Sequence, residues 1–183
     1  MAQLALSAIG RDRPGIVAAV SRVLLDHAAN VEDSQMTILR GHFTMMLVVA
    51  APAGADLAAL RADLDRVRDE LCLEALLLSE LDPLDPAAEP EPTHIVTVYG
   101  ADHPGIVHAA TSALAERGVD ITDLSTKLAG EGGGDGEPPI YMLAMEIAPP
   151  AGVGEEEISA ALARVAEEQG VEVSLRPLDA EAF

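Results

Sequence analysis

Aromatic side chains are nearly absent: the 183 residues hold two Phe, two Tyr and no Trp. A core must therefore be built from Ala, Val, Leu, Ile and Met, which the 49% hydrophobic content supplies. Small domains with thin aliphatic cores often gain stability by pairing. Cysteine is as scarce. Cys72 is alone, so no internal disulfide can form and nothing points to an oxidising compartment. It lies in Leu71-Cys72-Leu73, an apolar setting without an adjacent base, and the expectation is a buried, inert thiol. Positive charge is the third shortage: 11 basic against 31 acidic residues give a formal net charge of −20. Such a surface repels phosphates, which argues against direct nucleic-acid binding and for solubility. No apolar run reaches the roughly 18 residues of a membrane span, and Met1-Ala2-Gln3-Leu4 lacks the basic start of a signal peptide. No membrane association and a cytoplasmic location are the default expectations.

What the chain does have is a repeat. Gly10-Arg11-Asp12-Arg13-Pro14-Gly15-Ile16-Val17 returns as Gly100-Ala101-Asp102-His103-Pro104-Gly105-Ile106-Val107, 90 residues on. At the same offset Leu24 meets Leu114, Asn30 meets Asp120, Val31 meets Ile121 and Asp33 meets Asp123. Phe43-Thr44-Met45 then answers Tyr141-Met142-Leu143 at an offset of 98, so the second copy carries about eight extra residues, supplied by the Gly130–Gly136 stretch. A repeat of this length is a domain duplication, since a solenoid stacks at least three shorter units. Between the copies, residues 82–92 carry four prolines with acidic spacers and read as an extended, semi-rigid linker. The expected domains are residues 1–81 and 93–183.

Each copy reads as strand, helix, strand, strand, helix, strand. Leu4 to Ile9 is a short apolar run stopped by Gly10. Pro14 suits a first helical turn, and Asp12 just before it suits a position near the N-cap. Ile16, Val20, Val23, Leu24 and His27 share one helical face. Val31–Arg40 and His42–Ala51 are strands joined at Gly41. Leu57, Leu60, Leu64, Val67 and Leu71 mark a second helix, and Leu73–Leu81 a last strand. In copy two the same pattern predicts strands at His94–Gly100, Val119–Ala129, Pro139–Ala148 and Val171–Leu175, with helices at Pro104–Arg117 and Glu155–Gln169. The order βαββαβ implies an α+β, ferredoxin-like fold in tandem, each domain a four-stranded antiparallel sheet with two helices on one face. Along the strand from His42 both alternate sets are apolar, Phe43, Met45, Leu47, Val49 and Thr44, Met46, Val48, Ala50. A strand covered on one side should alternate with polar residues, so its second side is expected to be buried, on the other repeat or on another chain.

The turn Asp-x-Pro-Gly-Ile-Val after a strand, followed 18 residues later by Asn30 or Asp120, resembles the signature of ACT domains, twice over nearly the whole chain. With Asn30-Val31-Glu32-Asp33-Ser34-Gln35-Met36 it is also similar to tandem ACT regulators of the glycine cleavage system transcriptional repressor family. The resemblance implies amino-acid binding, commonly at a domain–domain contact. It also implies a transcription-factor partner, with glycine or serine as effector, in control of glycine and one-carbon metabolism. The residues agree with that chemistry. A helix N-terminus around Pro14-Gly15-Ile16 offers N–H groups to a carboxylate, and Gly15 and Gly105 let a ligand approach the backbone. Asp12 with Asn30 offers oxygens to an ammonium. The candidate ligand-binding residues are Gly10, Asp12, Arg13, Pro14, Gly15, Ile16 and Asn30 in copy one. In copy two they are Asp102, His103, Pro104, Gly105, Ile106 and Asp120. The same residues also have a purely structural reading, in which Asp12 and Asp102 cap helices and Pro-Gly shapes a turn. The Asp120 charge makes the second site less suited to a carboxylate.

Catalysis finds little footing. Neither a P-loop nor a nucleophile elbow is present, and the five histidines lack metal-ligand spacing with cysteine. No cofactor and no metal are expected. Gly130-Glu131-Gly132-Gly133-Gly134-Asp135-Gly136 is glycine-rich but acidic, and reads as a hairpin tip. The leading expectation is a non-catalytic, small-molecule-responsive regulator that acts on another protein, as a homodimer. The alternative is a regulatory subunit that tunes an amino-acid biosynthetic enzyme. An RNA-binding module of the same topology needs stacking aromatics and basic flanks, and only Phe43, Tyr99 and Tyr141 are available. A catalytic ACT-bearing deformylase or phosphatase would need more chain than is given.

Overall fold

A computed structural model describes residues 1–82, 90–129 and 139–178. They fall into two compact units, within Met1–Asp85 and within Pro86–Phe183. Most of the linker expected at 82–92 and all of the hairpin tip expected at 130–136 lie outside the described residues.

The first unit runs β1 (Ala2–Arg11), α1 (Ile16–Asp26), β2 (Asn30–Leu39), β3 (His42–Ala51), α2 (Leu57–Glu70), β4 (Ala75–Glu80). The second repeats it as β5 (His94–Ala101), α3 (Ile106–Ala115), β6 (Asp120–Ala129), β7 (Ile140–Ala148), α4 (Glu155–Gln169), β8 (Glu172–Pro177). The sheets have the order β2-β3-β1-β4 and β6-β7-β5-β8, with every pairing antiparallel. Both units are thus the ferredoxin-like α+β sandwich expected.

The patterning explains the layers. In β1, Leu4, Leu6 and Ala8 are buried at every second position, and in β3 Phe43, Met45, Leu47 and Val49 follow suit. Ile16, Val20 and Leu24 on α1 and Leu60, Leu64 and Val67 on α2 cover them at helical spacing. Each fully buried Leu contributes about 1.5–3 kcal/mol over its exposed state. Between β2 and β3 only Arg40 (φ 49°) and Gly41 (φ 81°) intervene, both left-handed, as a two-residue hairpin turn requires. Gly10 and Gly100 serve contact instead: a Cβ on either would sit 2.8 Å from Leu73 Cδ2 or 2.7 Å from Val171 Cγ1.

Two expectations need correction. Pro14 is not in the first turn of α1. Gly15, at φ 99°, is the N-cap, and so left-handed a residue cannot continue a helix, which starts at Ile16. Cys72 is exposed rather than buried. It holds the left-handed position (φ 48°) that turns the chain out of α2, and its two leucine neighbours face inward while it faces out. That turn also delays β4 to Ala75. On the second side of β3, Thr44 and Met46 are exposed, Val48 is half-buried and Ala50 is buried.

Candidate functional site

In each unit the loop leaving the central strand enters a helix through a left-handed glycine: Gly15 before α1 (φ 99°) and Gly105 before α3 (φ 110°). The first helical hydrogen bonds run from Ala19 N–H to the Gly15 carbonyl and from Ala109 N–H to the Gly105 carbonyl. The N–H groups of the first turn precede them, and neither helix has a side-chain cap among the described residues. α2 is built differently, since Asp56 Oδ1 accepts from the N–H groups of Ala58 and Ala59. Asp12 and Asp102 are therefore not caps. Each is exposed, and each instead ties its loop back by its own N–H, Asp12 to the Gly41 carbonyl (3.0 Å) and Asp102 to the Pro139 carbonyl (3.3 Å). Arg13, Pro14 and Gly15 are exposed beside Asp12, while Ile16 and Gly10 are buried beneath.

Asn30 is not part of this cluster. Arg11, where β1 ends, pairs with His42, whereas Asn30 pairs with Ala50 at the far end of β3. Eight residue steps separate the two pairs, roughly 27 Å at about 3.4 Å per residue. The cause is topological: β1 and β2 run parallel, and the α1 crossover returns the chain to the end where β1 began. Asp120 is removed in the same way from Asp102, opposite Ala148 while Ala101 is opposite Ile140. Within one unit, the turn residues and the residue 18 positions later cannot hold the same small molecule.

The two loops differ in what lies before the glycine. Nothing stands within 4 Å of a Cβ built on Gly15, but one on Gly105 would meet Gln169 Oε1 at 3.3 Å. His103 reinforces that closure, with Nε2 2.8 Å from the Gln169 carbonyl and Nδ1 3.2 Å from the Pro104 carbonyl. A neutral ring donates to only one of these carbonyls, and the shorter bond is to Gln169 at the end of α4. Arg13, its counterpart, is exposed. Sequence reasoning missed Gln169. The one signal was at the offset of 98, where it replaces Leu71 at the end of an otherwise apolar stripe.

The remaining polar features hold the scaffold. His27 Nε2 is 2.8 Å from Asp63 Oδ2, linking α1 to α2, and Arg117, its counterpart, lies 3.8 Å from Glu157 Oε1. Arg68 on α2 has its pKa raised by its hydrogen bond to Asp69, with burial opposing and the Asp65 and Asp69 charges adding. Grooves of about 190 Å³ (lined by Arg61, Leu64 and Leu77 among others) and about 320 Å³ (between α3 and α4) include none of the loop residues. No group of three or more His, Cys, Asp or Glu is placed to hold a metal among the described residues. No described helix is long and apolar enough to cross a membrane.

A family model for the ACT domain matches residues 2–76. UPF0237 protein MK1213 of Methanopyrus kandleri is 41% identical over 81 residues, covering 44% of this chain and 90% of that protein. Phosphoserine phosphatase SerB2 of Mycobacterium tuberculosis is 28% identical over 173 residues, which is 93% of this chain but 39% of the phosphatase. The crystal structure of a candidate glycine cleavage system transcriptional repressor matches with a TM-score of 0.70 at 19% identity, over 97% of this chain and 98% of that one. At that identity the likeness establishes the fold alone.

Proposed function

Because the chain belongs to the ACT-domain family, we propose that it is a non-catalytic, amino-acid-responsive regulator. It acts through contact with another protein, in the cytoplasm, in transcriptional control of glycine or one-carbon metabolism. Its functional modules are residues 1–81 and 93–183, joined at 82–92, and it works as a homodimer. The observation that carries this reading is the start of α1: an uncapped helix N-terminus behind an unobstructed Gly15, with Asp12 exposed alongside. The N–H groups and the positive end of the helix dipole suit a carboxylate, and Asp12 suits an ammonium. Gly10, Arg13, Pro14 and Ile16 shape that loop. The mouth is open at Gly15, with nothing within 4 Å of a Cβ built there, and glycine or serine is the effector that the family resemblance implies. In copy two, Asp102, His103, Pro104, Gly105 and Ile106 form the same loop, already covered by Gln169. Asn30 and Asp120 could join a ligand only from another domain.

The net charge of −20 suits a partner with a basic face, such as a transcription factor. A second reading, regulation of an amino-acid enzyme, is favoured by the match to part of a phosphoserine phosphatase. Affinity purification separates the two by whether a regulator or a biosynthetic enzyme is retained. The effector is tested by a thermal-shift screen of the twenty amino acids. Ligand at 100 times its Kd adds about 2.7 kcal/mol, so glycine or serine at millimolar concentration should raise the melting temperature by several degrees. A flat response to all twenty would remove the sensor reading.

A further inference from the structure

We propose that the outer face of the first sheet, turned away from α1 and α2, is a self-association surface that packs on the same face of a second copy of this chain. The register defines the face. Ser7 of β1 stands between Met46 of β3 and Leu77 of β4, and the next outward pairs are Ala5 with Val48 and Ile9 with Thr44. Its larger apolar members are open, Leu77 60% exposed, Met46 52% and Ile9 43%, while Ala5 and Val48 are half-buried and Ala50 is buried.

Charge decides the occupant. On this face the charged side chains within the strands are Asp33 and, at the β2 bulge, Glu32, whose Oε2 accepts from Gln3 Nε2 (3.3 Å), while Arg11 and His42 lie at strand ends. The outer face of the second sheet has the same construction and carries Asp123, Lys127, Glu146, Glu172 and Arg176. In a chain of net charge −20 the face with fewer charges is where two identical molecules meet with least repulsion. A two-fold contact sets each residue against its own symmetry-related patch, so charges there would face their like and lose their water. The area suffices. Four strands about 4.8 Å apart and roughly seven residues long at about 3.4 Å each give a footprint near 450–500 Å² per partner. The total of about 900–1,000 Å² lies at the lower threshold for a biological interface, the range of weak, reversible pairing. Two such faces pack as aligned sheets, at roughly 30° and about 10 Å apart.

The surface rests on the proposed pairing of two chains and is independent of amino-acid binding. Sedimentation equilibrium of the full chain tests it, with circular dichroism to confirm folding. Wild type should be a dimer at tens of micromolar. Met46→Glu should raise the dimer dissociation constant at least tenfold, and Leu77→Lys should do the same by a separate route. Met142→Glu, on the outer face of the second sheet, should leave it unchanged. A monomeric wild type would overturn both pairing and surface. A dimer that withstands both first-sheet substitutions, or that yields equally to Met142→Glu, would overturn the surface and leave the pairing.

Discussion

The glycine that opens α1 looks onto nothing, and the equivalent glycine before α3 looks onto Gln169. The same duplicated loop is thus open in one unit and covered in the other by that unit's own second helix, with His103 bonded to the same residue's carbonyl. The outer sheet faces diverge in parallel, with fewer charges in the first unit, Glu32 and Asp33 within its strands, than in the second. The cores have not diverged. Leu6 and Val96, Ile16 and Ile106, Leu24 and Leu114 are buried in matching places. Duplication has preserved the packing that both copies need and released the surfaces, so a functional difference between the copies is to be sought at the loop and the outer face.

The largest effect expected bears on what the copies share. Gly10→Ala and Gly100→Ala each force a methyl group into the partner side chain beneath. Overpacking of this kind costs about 1–3 kcal/mol. The obstructing atom nearest Gly10 is Leu73 Cδ2, the far end of a flexible side chain, while Gly100 meets both Cγ1 and Cβ (3.1 Å) of Val171. A β-branched side chain fixed at χ1 cannot swing aside. Gly100→Ala should therefore lie near the top of that range and Gly10→Ala near the bottom, read as the loss in each domain's denaturant midpoint. Equal losses would mean that the two cores do not yield differently.

Much of this scaffold was legible in the sequence because its causes are local. Period-two and helical spacing gave every strand and helix, and the offsets gave the duplication. What stayed hidden depends on residues distant in sequence. Gln169 and His103 are 66 residues apart, and nothing near either announces the contact. Cys72 was misplaced because apolar neighbours do not reveal a left-handed backbone that turns one residue outward. The separation of Asp12 from Asn30 was available in principle. A βαβ crossover puts the end of one strand and the start of the next at opposite edges of the sheet, and following strand direction would have separated them.

The second test addresses the loops directly. If copy one holds the effector, Asp12→Ala should weaken binding about tenfold or more in calorimetry, since a hydrogen bond to a charged group is worth about 1.5–3 kcal/mol. Asp102→Ala should leave affinity and stoichiometry unchanged. Asp12 makes no cap bond among the described residues, so its loss should alter stability by no more than about 0.5 kcal/mol. Equal weakening by both substitutions would erase the distinction drawn between the copies. The complementary experiment opens the covered loop. His103→Ala with Gln169→Ala should raise the stoichiometry from one effector per chain toward two, with the new site the weaker. An unchanged stoichiometry would show that the cover is not what silences copy two.

The smallest effect expected concerns the residue that leads each second helix into the final strand. Cys72 and Gly170 hold the same left-handed position, at φ 48° and φ 62°, and only one of them is glycine. A non-glycine residue there costs about 1–2 kcal/mol of local strain, partly offset by the greater freedom that glycine loses on folding. Cys72→Gly should consequently stabilise the first domain by about 0.5–1 kcal/mol, and Gly170→Ala should destabilise the second by a similar amount. The exposed thiol makes no hydrogen bond among the described residues and lies apart from the core, so its removal sacrifices little packing. Because the two substitutions exchange the states of one shared position, opposite shifts of similar size in the two domains' melting temperatures identify backbone strain as the cause. Destabilisation by Cys72→Gly would instead assign the Cys72 side chain a contact that its exposed position does not account for.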